Sequence, residues 1–351
     1  MPDGGQHIRA PRIERPGFAP ERLVRLMREA IARLELDLGG VSVLTEAATG
    51  AYASTAVIAA LAGAEWVYAF ARDSRHGSCG ELARQTLALA RAAGVVDRVE
   101  IVIGSPYDAA GKSLIVTNSG NLRPLDAQLV GRLPRSAVVA LMYEAWEFRE
   151  ADLDLAACRR RGIPVVGVNE RHPQVGVFPY LGCLAARELH DAGFAVQDCR
   201  IGLVCDNAFA PYLQSCLANL GGSIAPAGSP GDLPDGPYDV LLVATRPGGR
   251  GALGAADVQA LSERFGAVPL VQFWGDIDRE AVAAADMRVW PPEPPLPGHM
   301  AILFPAVGPE AVIRLQAGGL RAAELVLRRG PAAAAPGSQA ELVPWPLEPR
   351  P

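Results

Sequence analysis

Short apolar runs and stretches of helically spaced apolar residues alternate along most of the chain. Val41 to Leu44, Trp66 to Phe70, Val99 to Ile103, Leu114 to Thr117, Val138 to Met142 and Ile163 to Val168 are apolar runs of strand length. Runs of this kind, with no polar alternation, are expected of strands covered on both faces in a parallel sheet. Between them the spacing predicts helices over Ser54 to Ala62, over Gly80 to Ala93 and over a short segment ending at Arg161. In that segment Leu153, Leu155, Ala156 and Ala157 supply an apolar side, and Arg159 to Arg161 fill the last turn, where cations suit the helix dipole. Gly162 then ends the helix. A helix over Glu21 to Leu36, apolar at Leu23, Leu26, Ile31 and Leu34, precedes the series.

After Pro173 the alternation starts again. Helices are predicted over Leu181 to Ala192, Pro211 to Leu220, Ala255 to Phe265 and Ile277 to Ala285. Strands are predicted over Arg200 to Cys205, Ser223 to Pro226, Tyr238 to Ala244, Val268 to Phe273 and Met287 to Trp290. A Pro-rich crossing from Pro291 to His299 leads to a long final helix, Pro309 to Arg329. Residues 1–18 read as a flexible arm, and the Pro/Ala-rich residues 331–351 as a disordered tail. Two series of alternating strands and helices imply an α/β chain with two Rossmann-like, doubly wound parallel-sheet domains.

Composition narrows the function. The 351 residues are 50% hydrophobic, enough for a sizeable core, and the net charge of −5 comes without a basic stripe interleaved with aromatics. Nucleic acid is therefore not the expected partner. No apolar run reaches membrane-spanning length and the N-terminus has no signal-peptide pattern, so no membrane partner is expected and the protein is read as cytoplasmic. The six cysteines contain no CxxC, which gives neither a zinc site nor a disulfide framework; they read as buried, reduced thiols.

In parallel α/β sheets ligands bind beyond the carboxyl ends of the strands, so the polar bursts there are the site candidates. In TEAATGAY and the Ser54 that follows it, Gly50 permits an unusual backbone and Thr45, Thr49 and Ser54 offer hydroxyls near a helix N-terminus, where anions bind readily; a plain β-to-α turn with a capping Thr or Ser accounts for the same residues. Arg72 to His76 form a dense polar loop after the second strand that could receive a 2′-phosphate or be merely solvated. In TNSGNLRP, Asn118 and Arg123 could grip a carboxylate; the alternative is a Gly turn before a helix capped by Asp126. MYEAWEFR places Glu144, Glu147 and Arg149 among aromatics, which suits a desolvated acid or base or a structural ion pair. His172 in NERHP and His299 in PLPGHM are proton-transfer candidates, since imidazole titrates near neutrality; a hinge histidine bonded to backbone is the other reading of His172.

Several stretches carry a resemblance. SGNLRPLDAQLVGRLPRSAVVALM and DLDLAACRRRGIPVVG resemble the end of the substrate domain in D-isomer-specific 2-hydroxyacid dehydrogenases. YDVLLVATRP, FWGDIDREAV and PPEPPLPGHM resemble later segments of the same family. GVSVLTEAATGAYASTAVIAALAGAEWVYAFA is similar to the substrate domain of adenosylhomocysteine hydrolases, and more loosely to the first motifs of S-adenosylmethionine methyltransferases. The resemblance implies a substrate domain of residues 19–174 plus 300–330, a cofactor-type domain of residues 175–299, an interdomain cleft and a homodimer. It implies NAD or NADP as cofactor and a small carboxylate or amino-acid-derived substrate. Catalysis would then fall to His172 or His299, supported by Glu293, Glu144 or Glu147. Substrate binding would fall to Glu46, Thr49, Tyr52, Asn118, Arg123, Arg149 and Arg246. The cofactor would meet Asp206, Asn207, Phe209, Thr245 and Trp274, with no metal. The chain departs from the family at two points. GLVCDNAFAPYL stands where G-x-G-x-x-G lets a backbone approach the pyrophosphate, and Trp274 stands where an arginine clamps the substrate. An NAD(P)-dependent oxidoreductase is therefore weighed against a non-redox lyase or transferase of the same fold, with a nucleotide or S-adenosylmethionine as ligand. A catalytically inactive ligand-binding relative is the third reading.

Overall fold

The computed structural model describes residues 15–247, 253–296 and 298–344. Most of the flexible-arm expectation (residues 1–14) and the last residues of the tail (345–351) lie outside them. The chain divides into two compact units, residues 1–175 with 308–351 and residues 176–307.

Unit 1 runs α1 (Pro20–Leu34), β1 (Ser42–Glu46), α2 (Ser54–Leu61), β2 (Trp66–Ala71), α3 (Cys79–Ala93), β3 (Val99–Ile103), α4 (Tyr107–Ala110), β4 (Ile115–Asn118), α5 (Ala127–Arg132), β5 (Val138–Leu141), α6 (Leu155–Arg161) and β6 (Val165–Val168). Unit 2 follows with α7 (Pro179–Asp191), β7 (Arg200–Val204), α8 (Ala210–Asn219), β8 (Ser223–Ala227), β9 (Val240–Ala244), α9 (Ala255–Phe265), β10 (Leu270–Trp274), α10 (Arg279–Ala284) and β11 (Val289–Trp290). The chain then returns to unit 1 with α11 (Glu310–Arg329) and β12 (Ala340–Leu342).

The sheet of unit 1 has the order β12-β6-β5-β4-β1-β2-β3. β1 to β6 pair in parallel, with Val43 opposite both Val67 and Ile115. Because β1 lies between β2 and β4, the helices that follow it and those that follow β4 lie on opposite faces, and the tips of β1 and β4 diverge. That divergence is the topological switch point at which such sheets bind ligands. The strands are apolar because both faces are covered. Leu44, Val116, Val139 and Leu141 pack with Leu125, Leu129 and Leu133 on one side. On the other, α11 lies against β4, β5 and β6. Gly318 and Gly319 permit that approach, since a Cβ at Gly319 would lie 2.4 Å from Met142 Sδ and one at Gly318 would lie 2.8 Å from Val168 Cγ2.

The tail expectation needs correcting. Ala340, Glu341 and Leu342 pair antiparallel with Val168, Gly167 and Val166, so residues 331–344 close the sheet instead of dangling from it. Without β12, strand β6 would be an unpaired edge. The cysteine expectation is corrected in part. Cys158, Cys199 and Cys205 are buried, Cys79 and Cys216 are half-buried, and Cys183 is exposed. The helix capped by Asp126 is present as α5, with Leu129 N donating to Asp126 Oδ1 at 2.8 Å.

Unit 2 has five parallel strands in the order β11-β10-β9-β7-β8, with its own switch point between β7 and β9. Its core gathers Val204, Leu241, Val243, Val258, Leu261, Leu270 and Val282. No helix among the described residues is long and apolar enough to cross a membrane.

Candidate functional site

At the switch point of unit 1 the strand tips of β1 and β4 are joined by polar side chains. Thr117 Oγ1 donates to Thr45 Oγ1 at 2.7 Å and lies 2.6 Å from Ser119 Oγ. Glu46, buried at the end of β1, accepts from the backbone N–H of Asn121 at 2.8 Å, while Asn121 Nδ2 donates to the Ala47 carbonyl at 3.0 Å. Gly120 makes room for that carboxylate, since a Cβ there would lie 3.0 Å from Glu46 Oε2. Burial pushes the Glu46 carboxyl up, against the opposing pull of the Asn121 N–H and the Arg123 charge. Burial likewise raises the Tyr52 phenol, helped by the nearby Glu46 carboxylate. Thr49 precedes the turn at Gly50 and makes no capping bond with its side chain.

From β4 the network runs on toward β5. Asn118 Nδ2 donates to the Tyr143 hydroxyl at 2.8 Å, which donates in turn to Asp152 Oδ2 at 3.2 Å. Arg123 spans both: Nε and Nη2 donate to the Asn118 carbonyl at 3.0 and 2.8 Å, and Nη1 lies 3.5 Å from Asp152 Oδ2. The guanidinium groups of Arg123 and Arg149 lie 5.4 and 5.5 Å from the Tyr143 ring centroid. Asn118 and Arg123 are thus brought together with Arg149, and Glu46 is within electrostatic reach of Arg123.

The tips of β5 and β6 hold a second group of charges. Glu144 lies 3.4 Å from Arg171 and accepts from the Trp146 indole N–H. Arg171 is also 3.8 Å from Glu341 on β12. Burial pushes the Glu147 carboxyl up to about 7, reinforced by the Glu144 charge. Glu170 is raised well above the ordinary carboxyl value by burial and by the charges of Glu147, Glu144 and Glu341. Glu144 is raised as well, chiefly by burial. Neighbouring carboxyls disfavour one another's ionised form, and the one raised to about 7, Glu147, falls in the range that acid–base work uses. Among the described residues no group of three His, Cys, Asp or Glu side chains is placed to hold a metal ion.

Other sequence candidates lie elsewhere. His172 Nδ1 accepts from the backbone N–H of Gln174 at 3.2 Å, the bond expected of a hinge histidine. In unit 2, Glu293 is exposed and His299 closes a turn, donating from its backbone N–H to Leu296 O at 2.9 Å. At the tips of β7 and β9, Asp206 Oδ1 accepts from Arg246 N at 2.9 Å, and Asn207 Nδ2 donates to Ala244 O at 2.7 Å. Phe209, the residue before α8, stacks on Trp274 with centroids 5.0 Å apart and meets Phe178 edge-on at 5.3 Å. Thr245 is buried beside Gly275, with no hydrogen bond to its hydroxyl. These residues do not fit a dinucleotide in its usual seat. The turn that would cradle a pyrophosphate carries the Asp206 carboxylate, and the amide of Phe209 is taken by Asn207 Oδ1 at 3.0 Å.

Sequence alone does not single out Asn121, Asp152 or Glu341. The available signal for Glu341 is the apolar–polar alternation Ala340-Glu341-Leu342, hidden in a Pro/Ala-rich stretch. Asp152 and Asn121 are ordinary loop residues until the fold sets them beside Tyr143 and Glu46.

No protein-family model matches the sequence, and none of the curated proteins does. Solved structures do. A dipicolinate synthase structure from Bacillus halodurans is 10% identical, with 80% of this chain and 96% of that chain covered at a TM-score of 0.50. The dipicolinate synthase structure from Bacillus subtilis is 10% identical, with coverage of 84% and 99% and a TM-score of 0.52. NAD-dependent formate dehydrogenase from Staphylococcus aureus, in complex with NAD, is 11% identical over 83% and 96% at a TM-score of 0.42. The chain therefore shares its α/β fold with the two dipicolinate synthase structures.

Proposed function

We propose that this chain is an enzyme of oxidoreductase-like fold that performs non-redox proton transfer on a small carboxylate-bearing or amino-acid-derived molecule at the strand tips of unit 1. The observation that carries this reading is one neighbourhood holding both arginines and a carboxyl raised to about 7: Glu147 feels Arg149 and Arg123 as well as Glu144. Arg123 and Arg149 would anchor the substrate carboxylate. Arg123 is the better held of the two, because Asn118 fixes its Nε and Nη2 and leaves Nη1 at a longer distance from Asp152. Glu147 would take a proton from the carbon or heteroatom next to that carboxylate, as a lyase requires. Tyr143 and Asn118 orient the anchor, and Glu46, Thr49 and Tyr52 line the neighbouring tip. NAD or NADP, which the family resemblance implies, would supply hydride acceptance when bound; the residues of unit 2 do not fit its usual seat, and no step here runs through it.

Thermal unfolding with 2-hydroxy, 2-oxo and 2-amino acids, NAD, NADP and S-adenosylmethionine added separately tests this. A ligand at a hundred times its dissociation constant stabilises the folded form by about 2.7 kcal/mol. A carboxylic acid is expected to raise the midpoint for the wild type and not for Arg123→Met. A shift with NAD or NADP alone, kept in Arg123→Met, overturns the proposal in favour of hydride transfer; one with S-adenosylmethionine alone favours group transfer. For a substrate found this way, turnover is expected to rise with pH through about 7, as Glu147 ionises. Glu147→Gln should remove that rising limb, and an unchanged profile in the variant would take the base role away from Glu147.

A further inference from the structure

The nucleophilic groups of unit 2 include two thiols that the proposed chemistry does not use. Helices α7 and α8 cross at Gly182, where a Cβ would lie 2.2 Å from Cys216 Cβ and 2.8 Å from its Sγ. The missing side chain lets the α7 backbone rest on the Cys216 side chain. Cys183, the next residue on α7, is carried to the same crossing, beside the Cys216 side chain on which the Gly182 backbone rests. Their accessibilities differ: Cys183 is exposed and Cys216 is half-buried. Disulfides need the Cβ atoms of their two residues about 3.5–4.5 Å apart, which only a close backbone approach supplies.

We infer that Cys183 and Cys216 form a thiol pair that closes into a disulfide between α7 and α8 when the chain meets a low-molecular-weight disulfide such as oxidised glutathione. Cys183 is reached first. Its thiolate attacks one sulfur of the small disulfide, a mixed disulfide forms, and one small thiolate leaves and takes up a proton. Cys216 then attacks the Cys183 sulfur, the mixed disulfide breaks, and the second small thiolate leaves. Two protein thiols have been oxidised and one small disulfide reduced to two thiols, so atoms and electrons balance. Cys158, Cys199 and Cys205, all buried, are not reached by this route.

The test is oxidation of the folded full chain with oxidised glutathione, alkylation of the remaining thiols and mass spectrometry of the intact and digested protein. Expected are the loss of two alkylatable thiols, no retained glutathione and a cross-linked Cys183–Cys216 peptide, all reversed by a dithiol reductant. Cys216→Ser should stop at the first step and retain one glutathione on Cys183. The inference is overturned if the wild type also keeps glutathione on Cys183 with Cys216 still alkylatable, or if a different pair cross-links. It is equally overturned if the folded chain loses no thiols under conditions in which the unfolded chain does.

Discussion

Replacing Glu188 with Gln is expected to stabilise the chain by several kcal/mol at pH 9 and to change little at pH 5. Glu188 lies on α7 among Leu181, Leu184, Ala185 and Leu189, all buried, and is itself only 3% exposed. Its Oε2 has no hydrogen-bond partner, and no ion pair joins it to a described cation. Burial pushes its carboxyl up to about 8, and the Asp191 charge adds to the shift. The sign follows from proton linkage. Below the ordinary carboxyl value, near 4.5, folded and unfolded chains both hold the proton and the group adds no penalty. As pH rises from there the unfolded chain ionises freely while the folded one cannot, so stability falls until about pH 8, where the loss is complete. At about 1.4 kcal/mol for each pH unit of displacement, the effect is large beside a typical stability of about 5–15 kcal/mol. Denaturant unfolding of wild type and Glu188→Gln at pH 5, 7 and 9 measures it. Parallel curves, or a variant less stable at pH 9, would show that the carboxylate is solvated or paired in the folded chain.

The same residue shows where reading a sequence stops. On the helical pattern alone, Glu188 is one polar position near the end of a predicted helix. Its burial depends on the elements that pack against α7, contacts of the fold and not of the local sequence. The strands were legible because parallel strands covered on both faces must be continuously apolar, and Val138–Leu141 and Val165–Val168 are buried throughout. Strand β12 was not legible, because three residues in a Pro/Ala-rich tail gain strand character only from the edge of β6 that they cover. The site divides in the same way. Asn118, Arg123, Glu144 and Glu147 follow strand tips, so the rule that ligands meet the carboxyl ends of a parallel sheet points to them. Glu170 follows the tip of β6 and obeys the same rule, whereas Asp152 arrives by a loop and Glu341 from the C-terminal edge, and no local pattern announces those two meetings. His172, chosen for its titration range, is held by the backbone of its own loop.

Gly167→Ala is the substitution expected to damage fold and site together. Gly167 sits in β6 opposite Glu341, and a Cβ there would lie 2.4 Å from Ala145 N, 2.8 Å from Ala145 Cα and 2.9 Å from Tyr143 O. All three atoms are backbone, so no rotamer change relieves the clash. Either β6 withdraws or the Tyr143–Glu147 loop moves, and Val168 N, which donates to Tyr143 O at 3.1 Å, would lose its partner. Overpacking of this kind costs about 1–3 kcal/mol and occasionally more, and a backbone collision belongs at the upper end of that range. Gly131 in α5 is the internal control: a Cβ there meets nothing within 4 Å, so Gly131→Ala should stabilise by about 0.5–1 kcal/mol through helix propensity. The site consequence follows from the same movement. Glu147 owes its raised carboxyl to burial first and to the Glu144 charge second, and both depend on the Ala145 turn staying seated on β6. In Gly167→Ala the Glu147 titration should therefore fall from about 7 toward the ordinary carboxyl range, which carbon-detected NMR of its side chain reads directly. A variant as stable as the wild type with Glu147 still titrating near 7 would mean that the loop is not held against β6 at all, and the carboxyl group would need another cause for its shift.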